Sequence, residues 1–433
     1  MRGMADSDRA YRKAFYGAVN LHQGNRLLSE EEEFNRYYVP IYDQPDGPAG
    51  PDLVAEIVNA IDFTTGGSVQ LLSGYRGAGK TTELIRLHRT IDRQAYVPIY
   101  FDVEDYFNTE LPVDEGSFLI GLAAGFVASC EEAEVPKDNL IQRLGAFLKR
   151  IDVSADVTAA LSQGPVSVGL RAALSDDESF RAQVARALVS NRRRFKEEMH
   201  SFFEDVVDAM PDGRTPVFIV DSIDHFRGRA SSFDEVRESV ESLFSTYVTE
   251  LTLPRMHVVY TVPIYVKPVG WSGQIWPVLN VKVRQKDGEE CREGIALLRD
   301  VLARRAPGED LDRLLGDHAD RVILASGGLF RDLFRLVSAL LLKEAALPVG
   351  DVEVDGVERQ QRSLMATALS EEQWEILSQV KATKQLRVPR ELWAEAWSLQ
   401  ALGAVLCYRN GSVDWYGVHP LLEPLVPGPS ENS

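Results

Sequence analysis

Gly74, Gly79, Lys80 and Thr81 stand at the spacing G-x-x-x-x-G-K-[ST] within SVQLLSGYRGAGKTTELIR, residues 68–86. This is the pattern of a phosphate-binding loop. Glycines at 74, 77 and 79 let backbone N–H groups turn inward around phosphate oxygens. The start of the following helix adds a partial positive charge. Lys80 is placed to reach the β- and γ-phosphates, and the Thr81 hydroxyl to sit on Mg2+. Gly74, Tyr75, Arg76, Gly77, Ala78, Gly79, Lys80, Thr81 and Thr82 are therefore the candidate nucleotide-binding residues.

A second acid site lies downstream. The apolar run PVFIV, residues 216–220, ends in Asp221-Ser222-Ile223-Asp224. A carboxylate at the C-terminal end of a buried strand is placed to hold Mg2+, which makes Asp221 a candidate metal and catalytic residue. Asp224 reads either as the group that orients an attacking water or as a helix N-cap. Thr261, near the end of the run MHVVYTV, is a polar group that could sense a γ-phosphate.

Two more residues carry open alternatives. Arg331 follows Ser326-Gly327-Gly328 in the first turn of an amphipathic helix, where a cation is poorly placed for the helix dipole. A nucleotide phosphate would offset that cost; so would pairing with Asp332 or Asp300. His419 follows the last β-rich run and reads as a nucleotide contact or as a buried or capping histidine. Tyr38 and Val39, in an extended aromatic segment, read as adenine cover or as core.

The elements that must position these groups alternate. Strand-like runs at 69–72, 95–103, 216–220, 256–262 and 278–283 are separated by helical patterns, which implies a parallel sheet covered on both faces. The expected fold class is α/β: a P-loop NTPase parallel sheet with a helical lid and a C-terminal winged-helix domain. The expected domains are an N-terminal arm at 1–35 and an ATPase domain at 36–290 with a helical insertion at about 139–210. A helical lid at 291–350 and a winged helix at 363–427 follow. Residues 351–362 read as a linker, and Asn410-Gly411 marks a hairpin after helices at 370–380, 389–397 and 399–403.

Composition bounds the rest. The chain has 433 residues, room for roughly two or three domains. Its net charge of −18 argues against a surface that grips nucleic acid throughout. The basic cluster at 192–196 is followed by Glu197 and Glu198 and reads first as a solvated helix face. The three cysteines are far apart without metal spacing, which fits a reducing compartment. The N-terminus lacks a signal-peptide pattern and no apolar run is long enough to span a bilayer, so a cytoplasmic protein with no membrane partner is expected.

The phosphate loop, the strand-end Asp221, the Gly-Gly-x-x-Arg segment and the helices-then-hairpin end resemble the AAA+/STAND ATPases, signal-transduction ATPases with numerous domains, together with the related origin-recognition-like ATPases. More narrowly, the assembly resembles STAND-type ATPases of bacterial conflict and antiviral defence systems. The resemblance covers residues 36–425. It implies binding of ATP/ADP with Mg2+, Arg331 as the lid arginine called sensor 2, and His419 as the histidine that holds ADP. It further implies slow ATPase activity, homo-oligomerisation on ATP binding, and a separate sensor or effector protein as partner.

Departures from the pattern shape that expectation. The group often shows Asp-Gly-x-Asp-Glu at the strand end, where this chain has Asp221-Ser222-Ile223-Asp224-His225. AAA+ motors place Glu directly after the Asp; Ser222 stands there. Residues 263–281 contain no arginine, only Lys267. Loss of an arginine finger costs a factor of about 10^3 to 10^5 in characterised phosphoryl-transfer sites, so slow turnover is expected unless Arg229 or Arg255 acts in trans. The alternatives are a DNA-directed ATPase, disfavoured by the acidic balance and by a wing whose one basic residue is Arg409, and a nucleotide-binding adaptor without turnover.

Overall fold

Strand β1 (Ser68–Gly74) is buried from Val69 onward because strands flank it on both sides. The structure is a computed structural model. It describes residues 2–20, 31–42, 47–130, 137–151, 172–175, 177–228, 232–247, 250–266, 268, 271 and 273–427. Gly164-Pro165, Arg229 and Lys267 lie outside these residues.

In chain order the elements are α1 (Arg2–Val19), α2 (Glu31–Tyr37), α3 (Leu53–Asp62), β1, α4 (Lys80–Thr90), β2 (Tyr96–Asp102), α5 (Glu115–Ser129), α6 (Lys137–Arg150), α7 (Glu178–Ser190), α8 (Arg192–Asp208), β3 (Thr215–Asp221), α9 (Phe233–Ser245), β4 (His257–Pro263) and β5 (Gln274–Val278). Then come α10 (Arg292–Ala303), α11 (Asp312–Leu315), α12 (Ala319–Ala325), α13 (Phe330–Leu341), α14 (Asp351–Ala366), α15 (Glu371–Thr383), α16 (Trp393–Leu402), β6 (Val405–Asn410) and β7 (Val413–Val418). The fold is α/β.

The chain divides into two compact units. One holds residues 54–74 and 83–277. The other holds residues 1–53, 75–82 and 278–433, so the phosphate loop groups with the C-terminal part of the chain.

The first of these units is built on a five-stranded sheet in the order β2-β3-β4-β1-β5. β1 pairs parallel with β4, β4 with β3, and β3 with β2. The register sets Gly74 opposite Pro263, Val220 opposite Tyr260, and Asp102 opposite Asp221. The C-terminal ends of four strands therefore share one edge, and Asp221 and Thr261 lie on it. Helix α5 is buried on every side, with Asp114 capping its N-terminus. Its Gly125 leaves room for Phe101, whose ring would lie 2.2 Å from an added Cβ. Phe118, Phe126, Phe218, Phe244 and Tyr260 complete an aromatic core.

The second unit corrects several expectations. The described part of the N-terminal arm at 2–20, expected to be peripheral, packs against α13. Helix α1 buries Tyr11 and Phe15, and Arg12 donates to the carbonyls of Leu340, Leu341, Lys343 and Ala345 at the end of α13. A guanidinium there satisfies orphan carbonyls and suits the dipole. The segment read as a linker is helix α14. Only Val354 and Val357 are buried on it, too few to show an apolar stripe. Ion pairs from Arg321 to Asp355 and Glu358, and Glu353 accepting from the Gly350 N–H, hold it instead.

The strand expected at 278–283 ends at Val278. Beyond it Val281 N–H donates to Gly328 and Lys282 N–H to Pro48, so loop carbonyls replace a sheet neighbour. The two helices expected at 389–397 and 399–403 are a 3-10 turn and the single helix α16, closed by Gly403 at φ +76°. The hairpin is present one residue later than expected, with Asn410 paired to Val413 and Gly411-Ser412 as its loop. Ile376, Leu377, Val380, Leu399, Val405, Val418 and Leu422 form one core for this last segment. Among the described residues no helix is long and apolar enough to cross a membrane.

Candidate functional site

The phosphate loop leaves β1 at Gly74 and enters α4 at Lys80. Gly77 and Gly79 take φ of +79° and +98°, and Ala78 N–H closes a turn on the Tyr75 carbonyl at 3.1 Å. Lys80 is 4% exposed, and its Nζ donates to the Tyr75 carbonyl at 2.8 Å. Tyr75 is buried, and its hydroxyl donates to the Val405 carbonyl at 3.0 Å. Burial pushes its phenol well above the ordinary value. The loop is thus bonded directly to the start of the hairpin.

Arg331 approaches the same loop by its backbone. Its N–H donates to the Gly77 carbonyl at 3.1 Å, and a Cβ on Gly77 would lie 2.4 Å from the Arg331 Cβ. Its guanidinium turns to Asp332, with Nε donating to Oδ1 at 3.0 Å and one Nη to Oδ2 at 3.1 Å. The same Nη reaches the Leu402 carbonyl at 3.3 Å and lies 2.7 Å from where a Gly403 Cβ would stand. Gly403 is needed twice over, for its positive φ and for that space.

Asp332 is the hub of this cluster. It is 4% exposed, and besides Arg331 it meets Arg335 at 3.1 Å and His419 Nε2 at 3.4 Å. Burial alone would raise its pKa; His419 and Arg331 outweigh that and hold the carboxyl well below the usual range. His419 is fully buried. Its Nδ1 accepts from the Leu421 N–H, which leaves the ring proton on Nε2, facing Asp332. Of the two open readings of Arg331, pairing with Asp332 is the one its side chain adopts here, while its backbone sits on the loop.

The second acid site lies in the other unit. Asp221 is 1% exposed; Oδ2 accepts from the Tyr100 hydroxyl at 2.6 Å and Oδ1 from the Ser222 N–H at 2.7 Å. On the neighbouring strand Asp102 is pushed up to about 6 by burial and by the Asp221 charge. Ser222 takes φ +66°, a left-handed conformation costly for a side-chain-bearing residue. The Thr261 hydroxyl accepts from the Ile223 N–H at 3.1 Å and so fixes the turn after β3. Asp224 is half-buried in that 3-10 turn, and beside it His225 Nδ1 lies 2.8 Å from Glu104.

Tyr38 is a stacking group here, and Arg255 is in an exposed ion pair. Tyr38 stacks on Phe34 with centroids 4.9 Å apart, and its carbonyl accepts from Arg304. Arg255 pairs with Asp208 at 2.7 Å. Sequence reading missed Asp332 as a hub, and Tyr100 and Asp102 as companions of Asp221. Asp332 carried a signal: with Leu336 and Leu340 it falls on one stripe of α13, and a carboxylate on a buried stripe requires partners. Tyr100 and Asp102 carried none, since only the register places them beside Asp221.

No family model and no curated protein matches the chain. Among solved structures it is similar to the Aeropyrum pernix ORC2 protein, described in ADPNP and ADP complexes, at 12% identity and a TM-score of 0.37, covering 92% of this chain and 96% of that one. It is also similar to Cdc6p from Pyrobaculum aerophilum at 13% identity and a TM-score of 0.31, covering 86% and 90%.

Proposed function

We propose that the chain is a P-loop ATPase of the AAA+ kind, working as a slow nucleotide-dependent switch. One observation carries the reading: the loop that would hold phosphate is bonded at Tyr75 to the hairpin and at Gly77 to Arg331. A change in the loop is therefore felt at once by the C-terminal segment, which we read as a winged helix. Nucleotide phosphates would be held by the backbone N–H groups of residues 75–81 and by Lys80. On the loop Thr81 is the candidate for Mg2+; in the other unit Asp221 is likewise a Mg2+ candidate and Asp224 the candidate for orienting water. Bound Mg2+ supplies charge neutralisation on the phosphates. Arg331 and His419 sense the nucleotide, and two packings of the C-terminal segment are the states between which it chooses.

The test is the nucleotide content of the purified protein on denaturation. Near-stoichiometric ADP supports the closed switch. An empty protein that takes up neither ADP nor ATP overturns the nucleotide reading.

Two finer readings divide on DNA. A signalling switch in a bacterial conflict or defence system works through a sensor or effector protein and needs no duplex. An origin-recognition-like, DNA-directed ATPase needs one, and the names ORC2 and Cdc6p agree with it. On the hairpin, Arg409 is paired with Asp414 through two contacts of 2.6 and 3.1 Å, which neutralises the wing cation. A salt-dependent shift of the protein on duplex DNA selects the DNA-directed reading; its absence at low salt selects the signalling one.

A further inference from the structure

We propose that Asp332 is a positioning residue that competes with nucleotide phosphate for Arg331, acting as an internal anion. The proposal rests on the nucleotide-binding reading above.

A carboxylate on the buried stripe of α13 is costly unless its partners hold it. Asp332 has three cationic or proton-donating neighbours, Arg331, Arg335 and His419, for one negative charge. Arg331 makes the tightest arrangement, two parallel N–H···O bonds. Its backbone is meanwhile fixed to the Gly77 carbonyl. One residue thus has its main chain on the phosphate loop and its guanidinium on Asp332.

An anion at the loop and the Asp332 carboxylate then draw on the same guanidinium. His419 is placed to take up the carboxylate that Arg331 leaves. Its Nε2 is fully buried, stands 3.4 Å from Asp332, and makes no well-formed hydrogen bond. The orphan donor improves its contact as Arg331 withdraws, so the exchange is felt at the turn after β7 that carries His419.

The test is ADP affinity by calorimetry with Mg2+, on the full chain, with circular dichroism to confirm folding. D332N removes the competing charge and is expected to tighten ADP by about tenfold, within the usual range of couplings between linked sites. The gain should vanish in the R331A background. R335A, at a half-exposed position, leaves Asp332 fewer cations to share and should weaken ADP about threefold. A purely structural Asp332 predicts weaker or unchanged binding in D332N, and that result overturns the proposal. So does a gain that persists without Arg331. If D332N does not fold, R335A decides: unchanged or tighter binding overturns the proposal. A wild-type protein that binds no ADP overturns both this proposal and the nucleotide reading, whereas binding with the wrong sign in the variants overturns this proposal alone.

Discussion

The Arg331 N–H donates to the Gly77 carbonyl at 3.1 Å, which places the first turn of α13 against the phosphate loop. Gly77 is what permits it. An alanine there meets two penalties: a positive φ, worth about 1–2 kcal/mol, and overpacking against Arg331, typically about 1–3 kcal/mol. Gly66 has a similar φ of +87° with nothing within 4 Å of an added Cβ. G66A should therefore lose only the backbone share in urea unfolding. G77A should lose more, and ADP binding with it. Equal losses would show that Arg331 yields without cost.

The Tyr75–Val405 bond makes a prediction about the hairpin. Y75F keeps the buried ring and removes one donor, leaving a buried carbonyl unpaired. The expected loss is about 1–2 kcal/mol. Hydrogen exchange should accelerate in β6 and β7 before it does in β1 to β4. Uniform acceleration would mean that the bond holds the fold at large and not the hairpin in particular.

His88 on α4 gives a pH dependence. Burial first, then Arg93 and Arg89, lowers its pKa to about 4 from an ordinary 6.5. A base whose folded pKa is depressed is protonated more readily when unfolded. Its share of stability is present above pH 6.5 and is lost as pH falls towards 4, by at most about 3 kcal/mol. H88Q should flatten the stability profile between those pH values and leave it unchanged above pH 7. An unaltered slope would assign the acid sensitivity to other groups.

Motif and pattern made the strand–loop–helix at residues 68–90, the acid-ended strand and the alternation of helices and strands legible. Each depends on local sequence: glycine placement, a buried apolar run, a helical period. What stayed hidden depends on partners far along the chain. Helix α14 is held by Arg321 and not by an apolar stripe, so its residues read as a linker. Residues 279–283 have the alternation of a strand but find loop carbonyls in place of a neighbour strand. The Arg331–Asp332 pair was one of two open readings, and only the approach of α16 and His419 shows why the carboxylate is buried. Tyr100 meets Asp221 through the β2–β3 register, which no single stretch encodes.

Ser222 and Asp224 offer a test of the proposed hydrolysis. Ser222 directly follows Asp221, its φ is +66° and its N–H is bonded to the Asp221 carboxylate. A side chain leaving a left-handed residue takes another direction from one leaving an extended strand. S222E should therefore not raise phosphate release, and should cost stability relative to S222G. S222G itself should be more stable than S222A by about 1 kcal/mol, since glycine relieves the left-handed strain that alanine keeps. D224A should lower phosphate release by about 10^2, the lower bound for loss of a proton-transfer or water-orienting group. Single-turnover release measured across the four variants separates the cases. A gain in S222E would show that the turn rearranges to present the acid. Indifference to D224A would leave a nucleotide-binding adaptor in place of an ATPase.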